Sequence, residues 1–382
     1  MPATPLMDRW IQRTTDSHVP WCVHLDLTYR CNERCVHCYL DHEDYGEMTG
    51  EEIQGVLRQL AEAGTLFLTL SGGELFLRAD LFELIEYARN LQFDVSLKTN
   101  ALLIHRERAR RLAELGVRSV QVSIYSRQPE VHDAITKVRG SLERSLAAIR
   151  LLMDEGIRVK LACPLMKQNL TAYRGVQALA EELGVPYVLD LTITPKIDGD
   201  TSILTLRNPA QDLLPVLQDS SLRAAGCGDE KPAEFVLTTG SVVSSGIEGA
   251  ACDDIPCCAG QNSCYISPYG DVYPCVQMPL ATGNVRKQRF GEIWFGSPEM
   301  QRVRAIRESD LPVCSKCEIR QYCERCPGLA QMEGGDMLGA YERACELAEA
   351  NARIAGVSNP VSALHASNAT SAGIVRELPV VA

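Results

Sequence analysis

Residues 21–39 read "WCVHLDLTYRCNERCVHCY". The first eight, "WCVHLDLT", read as a β-strand. The loop that follows places Cys31, Cys35 and Cys38 in the spacing C-x3-C-x2-C. Three thiols are one short of a closed tetrahedral metal site. What they hold, and what takes the fourth place, turns on the architecture around them.

Outward from this strand the chain alternates. "MTGEEIQGVLRQLAEAG" predicts a helix with Thr49 as N-cap and Glu52 three residues on, a capping-box pattern. "LFLTLSGG" reads as a strand and "ADLFELIEYARNL" as a helix beginning near Asp80. "FDVSLKTN", "SVQVSIYS", "RVKLACPL" and "YVLDLTIT" read as further strands. Between them "RERARRLAELG", "SLERSLAAIRLLMDEG" and "TAYRGVQALAEELG" carry helical periodicity. Strands alternating with amphipathic helices predict a parallel sheet with crossover helices. Six such units are too few to close an eight-fold barrel, so the expected fold is α/β, an open partial (β/α)6 barrel. The cysteine loop follows its first strand, at the C-terminal mouth where parallel barrels hold their sites.

Composition narrows the function. The chain has 382 residues, 46% hydrophobic and 23% charged, which predicts two or three globular domains. A net charge of -11 without a basic stripe argues against nucleic-acid binding. No apolar run approaches the roughly 18 residues of a membrane span, and the N-terminus has no apolar signal core. The expected location is the cytosol. Sixteen cysteines are then anomalous, and reduced cytosolic thiols at this density point to metal rather than disulfides. Ten of them fall between 252 and 345. Cys22, Cys163 and Cys227 read as small buried hydrophobes.

A zinc site takes four ligands, commonly as two close pairs. His37 lies too cramped between Cys35 and Cys38 to join them at one metal. A 4Fe-4S cluster held by three thiolates leaves one iron open to a small chelating ligand. The spacing resembles that of the radical S-adenosylmethionine (radical SAM) family. The resemblance implies that the open iron is chelated by S-adenosylmethionine, which the reduced cluster cleaves to methionine and a 5'-deoxyadenosyl radical. "SGGEL" (71–75) resembles the family's Gly-Gly-Glu-Pro segment, with Leu75 in place of proline. Gly72, Gly73 and Glu74 are thereby implied at the methionine ammonium. Tyr39 matches the residue whose backbone meets the adenine, and His37 takes the usual aromatic place before the third cysteine. Thr99 and Asn100 resemble the family's third-strand segment, and Ser123 its fourth-strand serine at the methionine carboxylate. In "HDAITKVRGS" (132–141) an arginine often found in the family is Thr136. Lys137 beside it is the implied substitute charge.

The C-terminal third carries Cys258-x5-Cys264, then Gly270-x4-Cys275, then Cys314-x2-Cys317-x5-Cys323-x2-Cys326, and a late Cys345. Paired zinc knuckles are the plain reading. Behind a radical SAM barrel, the set resembles the SPASM domain, which carries two auxiliary 4Fe-4S clusters. "GDVYPC" and "GNVRKQRFGEIW" (283–294) are further features of it. The resemblance assigns Cys258, Cys264, Cys275 and Cys326 to one cluster, with Cys257 competing for the place of Cys258. It assigns Cys314, Cys317, Cys323 and Cys345 to the other. Cys252 is left over. Tyr269, Asp271 and Tyr273 read as structural residues of the hairpin.

The implied organisation is an N-terminal extension (1–20), the barrel (21–200), a bridging region (201–251), the SPASM domain with a small β-hairpin and short helices (252–350) and a flexible tail (351–382). The implied cofactors are three 4Fe-4S clusters and S-adenosylmethionine, with flavodoxin or ferredoxin as reductant. SPASM enzymes mostly modify peptides or proteins. Crosslinking or oxidation of a ribosomally made precursor peptide is therefore the expected function. Tetrapyrrole chemistry is the alternative. The sulfatase-maturing branch carries an Asp base just after the hairpin cysteine, where this chain has Val276. A non-catalytic iron–sulfur electron carrier leaves the open three-cysteine site unexplained. About 20 residues before the first strand leave no room for a leader-binding domain there. A separate leader-binding protein is the expected partner.

Overall fold

The computed structural model describes residues 6–219, 222, 235–238 and 255–366. Among these, one sheet is built from β1 (Cys22–Thr28), β2 (Phe67–Gly72), β3 (Asp94–Thr99), β4 (Ser119–Ser123), β5 (Arg158–Pro164), β6 (Tyr187–Asp190), β7 (Phe235–Thr238), β8 (Ser263–Ile266), β9 (Asp271–Tyr273) and β10 (Gly283–Asn284). The strand order is β10-β9-β8-β1-β2-β3-β4-β5-β6-β7. Strands β1 to β7 are parallel neighbours in chain order, the pattern produced by repeated strand–helix–strand crossovers.

The helices are α1 (Leu6–Asp16), α2 (Gly50–Glu62), α3 (Leu81–Asn90), α4 (Arg106–Glu114), α5 (Pro129–Thr136), α6 (Ser141–Asp154), α7 (Tyr173–Leu183), α8 (Leu214–Leu217), α9 (Phe290–Gly296), α10 (Pro298–Ala305), α11 (Pro327–Gly334) and α12 (Glu342–Ile354). Helix α2 starts with the expected capping box between Thr49 and Glu52. At the start of α3, Asp80 makes no cap bond, because Arg78 takes its carboxylate at 2.7 Å.

From His24 onward, strands β1 to β4 alternate, and that alternation makes the site. Val23, Leu25 and Leu27 of β1, Leu68 and Leu70 of β2, Val95 and Leu97 of β3, and Val120 and Val122 of β4 belong to the main hydrophobic core under the helices. Their neighbours His24, Ser71, Lys98, Gln121 and Ser123 line a cavity on the other face. Strands of a parallel sheet buried on both faces are normally apolar throughout. Polar residues at every second position therefore mark a hollow interior.

The six expected parallel strands are present as β1 to β6; β7 lies parallel beyond β6, and β8 pairs parallel with β1 at the other edge. The Cys-rich region thus continues the barrel's own sheet, and its hairpin satisfies the ladder groups that β1 would otherwise leave open. In the N-terminal extension, α1 buries Ile11 and is tied to the hairpin by Asn262 Nδ2 donating to Thr15 Oγ1 at 3.0 Å. The tail does not begin at 351. Helix α12 runs to Ile354, and the chain returns along it, with Ser362 N donating to Glu349 at 2.8 Å and His365 lying between Glu349 and Glu342. Residues 367–382, Cys227 and Cys252 lie outside the described residues. Cys22 and Cys163 are buried, and among the described residues no helix is long and apolar enough to cross a membrane.

Candidate active site

The end of β1 delivers the cysteine loop to the cavity mouth. Gly72 and Gly73 allow it to lie there. A Cβ on Gly72, at φ +133°, would stand 2.1 Å from the Thr28 carbonyl oxygen, and one on Gly73 would stand 2.3 Å from that of Arg30. The close approach is used for bonding: Gly73 N donates to Thr28 O and Glu74 N to Arg30 O.

Cys31, Cys35 and Cys38 all line a cavity of about 920 Å³. Cys31 Sγ accepts from Glu33 N at 3.4 Å and from Asn100 Nδ2 at 3.8 Å. Cys35 Sγ accepts from Tyr125 Oη at 3.8 Å. Burial pushes the Cys31 thiol up to about 12 and raises Cys35 and Cys38 as well. Burial also lifts Glu33 to about 7. Thiols in such surroundings ionise only against a strongly cationic partner, which an iron centre is.

His37, Tyr39, Gly72, Gly73, Thr99, Asn100 and Ser123 line the same cavity. His37 packs edge-on against Tyr125 at 5.1 Å, and its buried Nδ1 has no partner. Burial lowers its pKa to about 4.

Two sequence-expected residues are placed otherwise. Glu74 is fully buried, and its carboxylate accepts from Thr99 Oγ1, Phe76 N and Asn100 N. It is engaged by protein donors and does not face the cavity as a free carboxylate. Lys137 is an exposed residue in the left-handed conformation that ends α5, outside the cavity lining. There α5 turns to start α6, with Asp133 accepting from Gly140 N, Ser141 Oγ and Leu142 N.

The C-terminal cysteines separate into two groups. Burial and then the Cys275 and Cys326 thiols push Cys257 up to about 12. Burial, then Cys345, Cys314 and Cys317, push Cys323 up to about 12 after opposition from Arg320. Cys326 therefore joins the first group although Cys323 is its near neighbour in sequence. The structure places Cys264 elsewhere. It sits on β8 opposite Val23, in the main core, with Cys22 and Arg304 beside it. The expected grouping of Cys264 with Cys275 is corrected by strand register: its side chain points to the helix layer. The backbone carbonyl of Cys258 accepts from Gln261 N.

The donor set suits iron–sulfur clusters on a further observation. Arg325 is buried, and its Nη1 has no partner, although its other nitrogens donate to Gly339 O. Its charge lowers the pKa of Cys257, Cys314 and Cys326. A guanidinium left with an unused buried donor between two thiol groups matches an anionic, sulfur-rich group. Among the described residues, no three His, Cys, Asp or Glu side chains converge tightly enough for a single metal ion.

No motif singles out His24, Asp26, Lys98, Gln121 or Asp190 in the sequence. All but Asp26 line the cavity, and Tyr265, Tyr269, Asp271, Tyr273 and Val276 of the C-terminal region close it. Tyr269, Asp271 and Tyr273, expected as structural residues, thus face the cavity. The alternation of polar and apolar residues along each strand was the signal for the first five.

Residues 25–175 match the radical SAM superfamily domain, and residues 257–318 match the SPASM iron–sulfur cluster-binding domain. The chain is 29% identical to an AdoMet-dependent heme synthase of Methanosarcina barkeri, over 84% of this chain and 95% of that one. It is 28% identical to a mycofactocin maturase of Mycobacterium tuberculosis, over 80% of this chain and 77% of that one. In fold it is similar to SuiB of Streptococcus suis solved with S-adenosylmethionine, at a TM-score of 0.68 and 17% identity, covering 89% of this chain and 81% of that one. The cysteine loop at the mouth of a hollow parallel sheet, the glycines under it and the Cys-rich continuation of that sheet agree with both domain matches, and the chain belongs to the radical SAM superfamily, in its SPASM-domain subfamily.

Proposed function

We propose that the protein oxidises or crosslinks a ribosomally made peptide, held in the cavity between the barrel mouth and the Cys-rich region. Cys31, Cys35 and Cys38 would hold a 4Fe-4S cluster with S-adenosylmethionine on its open iron. When bound, this pair supplies the hydrogen-abstracting 5'-deoxyadenosyl radical. Gly72, Gly73, Thr99, Asn100, Ser123, His37 and the backbone of Tyr39 line the space beside the cysteines and would orient the cofactor. Cys257, Cys275 and Cys326 would hold one auxiliary cluster, and Cys314, Cys317, Cys323 and Cys345 a second. Together with the first, these make three. A flavodoxin or ferredoxin would supply electrons, and a separate leader-binding protein would supply peptide affinity.

One observation carries the peptide reading: the charge of the cavity wall. Asp41, Asp190, Asp198 and Asp271 line it, with Glu33 only partly ionised near neutrality, against Lys98, Lys196 and Arg302. Lys196 is already paired with Asp200 at 2.6 Å. His24, His37 and His42 add no charge at neutral pH, since burial lowers all three. An acid-rich wall suits the cationic ammonium and sulfonium of S-adenosylmethionine and an uncharged peptide backbone. It repels a tetrapyrrole bearing several carboxylates. The similarity to heme synthases favours the tetrapyrrole as the second reading.

The test incubates the anaerobically reconstituted protein with S-adenosylmethionine, dithionite and a precursor peptide encoded beside its gene. The expected product is the peptide lighter by one hydrogen pair per modification. Turnover of an iron-bearing coproporphyrin with no change in any peptide overturns the reading.

A further inference from the structure

His24 and Asp26 stand two residues apart on β1 and so project to the same, inner face. Asp26 is fully buried. Its Oδ2 accepts from Tyr265 Oη at 2.8 Å, and its Oδ1 lies 3.1 Å from His24 Nε2. Tyr265 Oη also bonds Tyr29 Oη at 2.7 Å. A carboxylate against Nε2 fixes the proton there and leaves the imidazole lone pair on Nδ1. The ring lines the cavity, packed edge-on to Tyr265 at 5.5 Å. Among the described residues Nδ1 has no hydrogen-bond partner.

The proposed oxidation, on which this inference rests, needs a proton acceptor. Hydrogen abstraction leaves a carbon radical on the substrate. Forming a new double bond, or a bond to a neighbouring heteroatom, then releases one electron and one proton. The electron goes to a one-electron acceptor of the iron–sulfur class, and the proton must go to a base within hydrogen-bond reach. Val276 supplies none. Glu33 takes the Cys35 thiol on one oxygen and keeps the other without a partner, but it stands between Cys31 and Cys35 in the cluster loop, while the Asp271 carboxylate accepts from Asn284 and that of Asp190 from the Thr192 backbone. We propose that His24, through Nδ1, accepts the proton from the substrate, and that Asp26 is the positioning residue that holds its tautomer. The groups facing the ring are Asp26 on its own strand, Tyr265 on β8 and Lys98 on β3, with Tyr29 behind Tyr265 and Asp190 near Lys98. Burial and then Lys98 lower the imidazole pKa against the opposing pull of Asp26, so the ring is neutral and able to accept at pH 7.

The test compares wild type, His24→Gln and Asp26→Asn, each reconstituted to full iron content, on the precursor peptide of the assay above. The readout is product formed per 5'-deoxyadenosine, which separates proton removal from cofactor cleavage. The ratio is expected to fall about 10²–10⁴-fold in His24→Gln. In wild type it is level through the ordinary imidazole pKa and declines only at lower pH, because burial and Lys98 lower the ring's pKa, and in His24→Gln that inflection disappears. An unchanged ratio overturns the proposal. A second measurement needs no substrate. Diethyl pyrocarbonate acylates unprotonated imidazole nitrogens, and mass mapping of the holoenzyme at pH 7 is expected to find His24 labelled. His24 unlabelled while the exposed His105 reacts also overturns it. If a coproporphyrin is turned over and no peptide is, the peptide reading fails by itself, and the same ratio on that substrate decides the base.

Discussion

Thr99 Oγ1 lies 2.8 Å from both carboxylate oxygens of Glu74, joining the end of β3 to the turn after β2. The same carboxylate takes the backbone N–H groups of Phe76 and Asn100. Glu74 is thus the staple beneath the glycine turn.

Glu74→Ala leaves buried donors without an acceptor. Each orphaned donor costs about 1–3 kcal/mol. A lower urea midpoint is expected, together with weaker binding of S-adenosylmethionine. Thr99→Val, which removes one donor and leaves the backbone bonds, should show the same two effects at smaller size. Full stability with lost affinity would instead make Glu74 a direct ligand.

Gly73→Ala tests the close approach of the turn to the loop. Its Cβ would meet the carbonyl oxygens of Arg30 and Tyr29 at 2.3 and 2.5 Å, and neither can move without shifting Cys31. Overpacking of this kind costs about 1–3 kcal/mol. The expected result is a lowered melting temperature and loss of the iron proposed for Cys31, Cys35 and Cys38, with the other iron retained.

Cys257→Ala and Cys264→Ala separate the corrected cysteine grouping from the expected one. Cys257→Ala should remove one cluster's iron, because its thiol stands with Cys275 and Cys326. Cys264→Ala should keep its iron and lose some stability, as a core residue of β8 does. Iron and sulfide assays with electron paramagnetic resonance of the reduced protein check both. Equal iron loss in the two variants would restore Cys264 to the ligand set.

Arg207 and Glu333 form a bidentate pair, at 2.6 and 2.8 Å, between the segment after β6 and α11. Both side chains are largely buried. Breaking one partner of such a pair costs about 3–5 kcal/mol, while replacing both with apolar groups costs far less. Arg207→Met should therefore unfold at lower denaturant than the Arg207→Met, Glu333→Leu double variant. A double-mutant cycle measures the coupling.

Asp133 gives a pH prediction. Burial raises its pKa, but the donors from Gly140, Leu142 and Ser141 outweigh this and leave it lowered. A carboxylate lowered on folding adds stability above its unfolded pKa, about 3.9, and loses it as pH falls through the folded value. The stability difference between wild type and Asp133→Asn should be constant near neutrality and shrink below about pH 4. A difference that grows on acidification contradicts this.

Legible in the linear chain were the repeated strand–helix units, the capping box of α2, the three-cysteine loop and the glycine turn. These are local: period-two and period-3.6 patterning and short motifs act within a few residues of chain. Tertiary structure decided the rest, because it depends on register and on strands brought together from far apart. Only the pairing of Val23 with Cys264 shows that this cysteine faces the core. Only the meeting of the β2 and β3 ends turns Glu74 from a free carboxylate into a staple, and only the chiral turn at Lys137 takes that charge out of the cavity. His24 and Asp26 were visible as polar residues in an apolar strand. Their partnership with Tyr265 exists because β8, more than two hundred residues later in the chain, lies parallel beside β1.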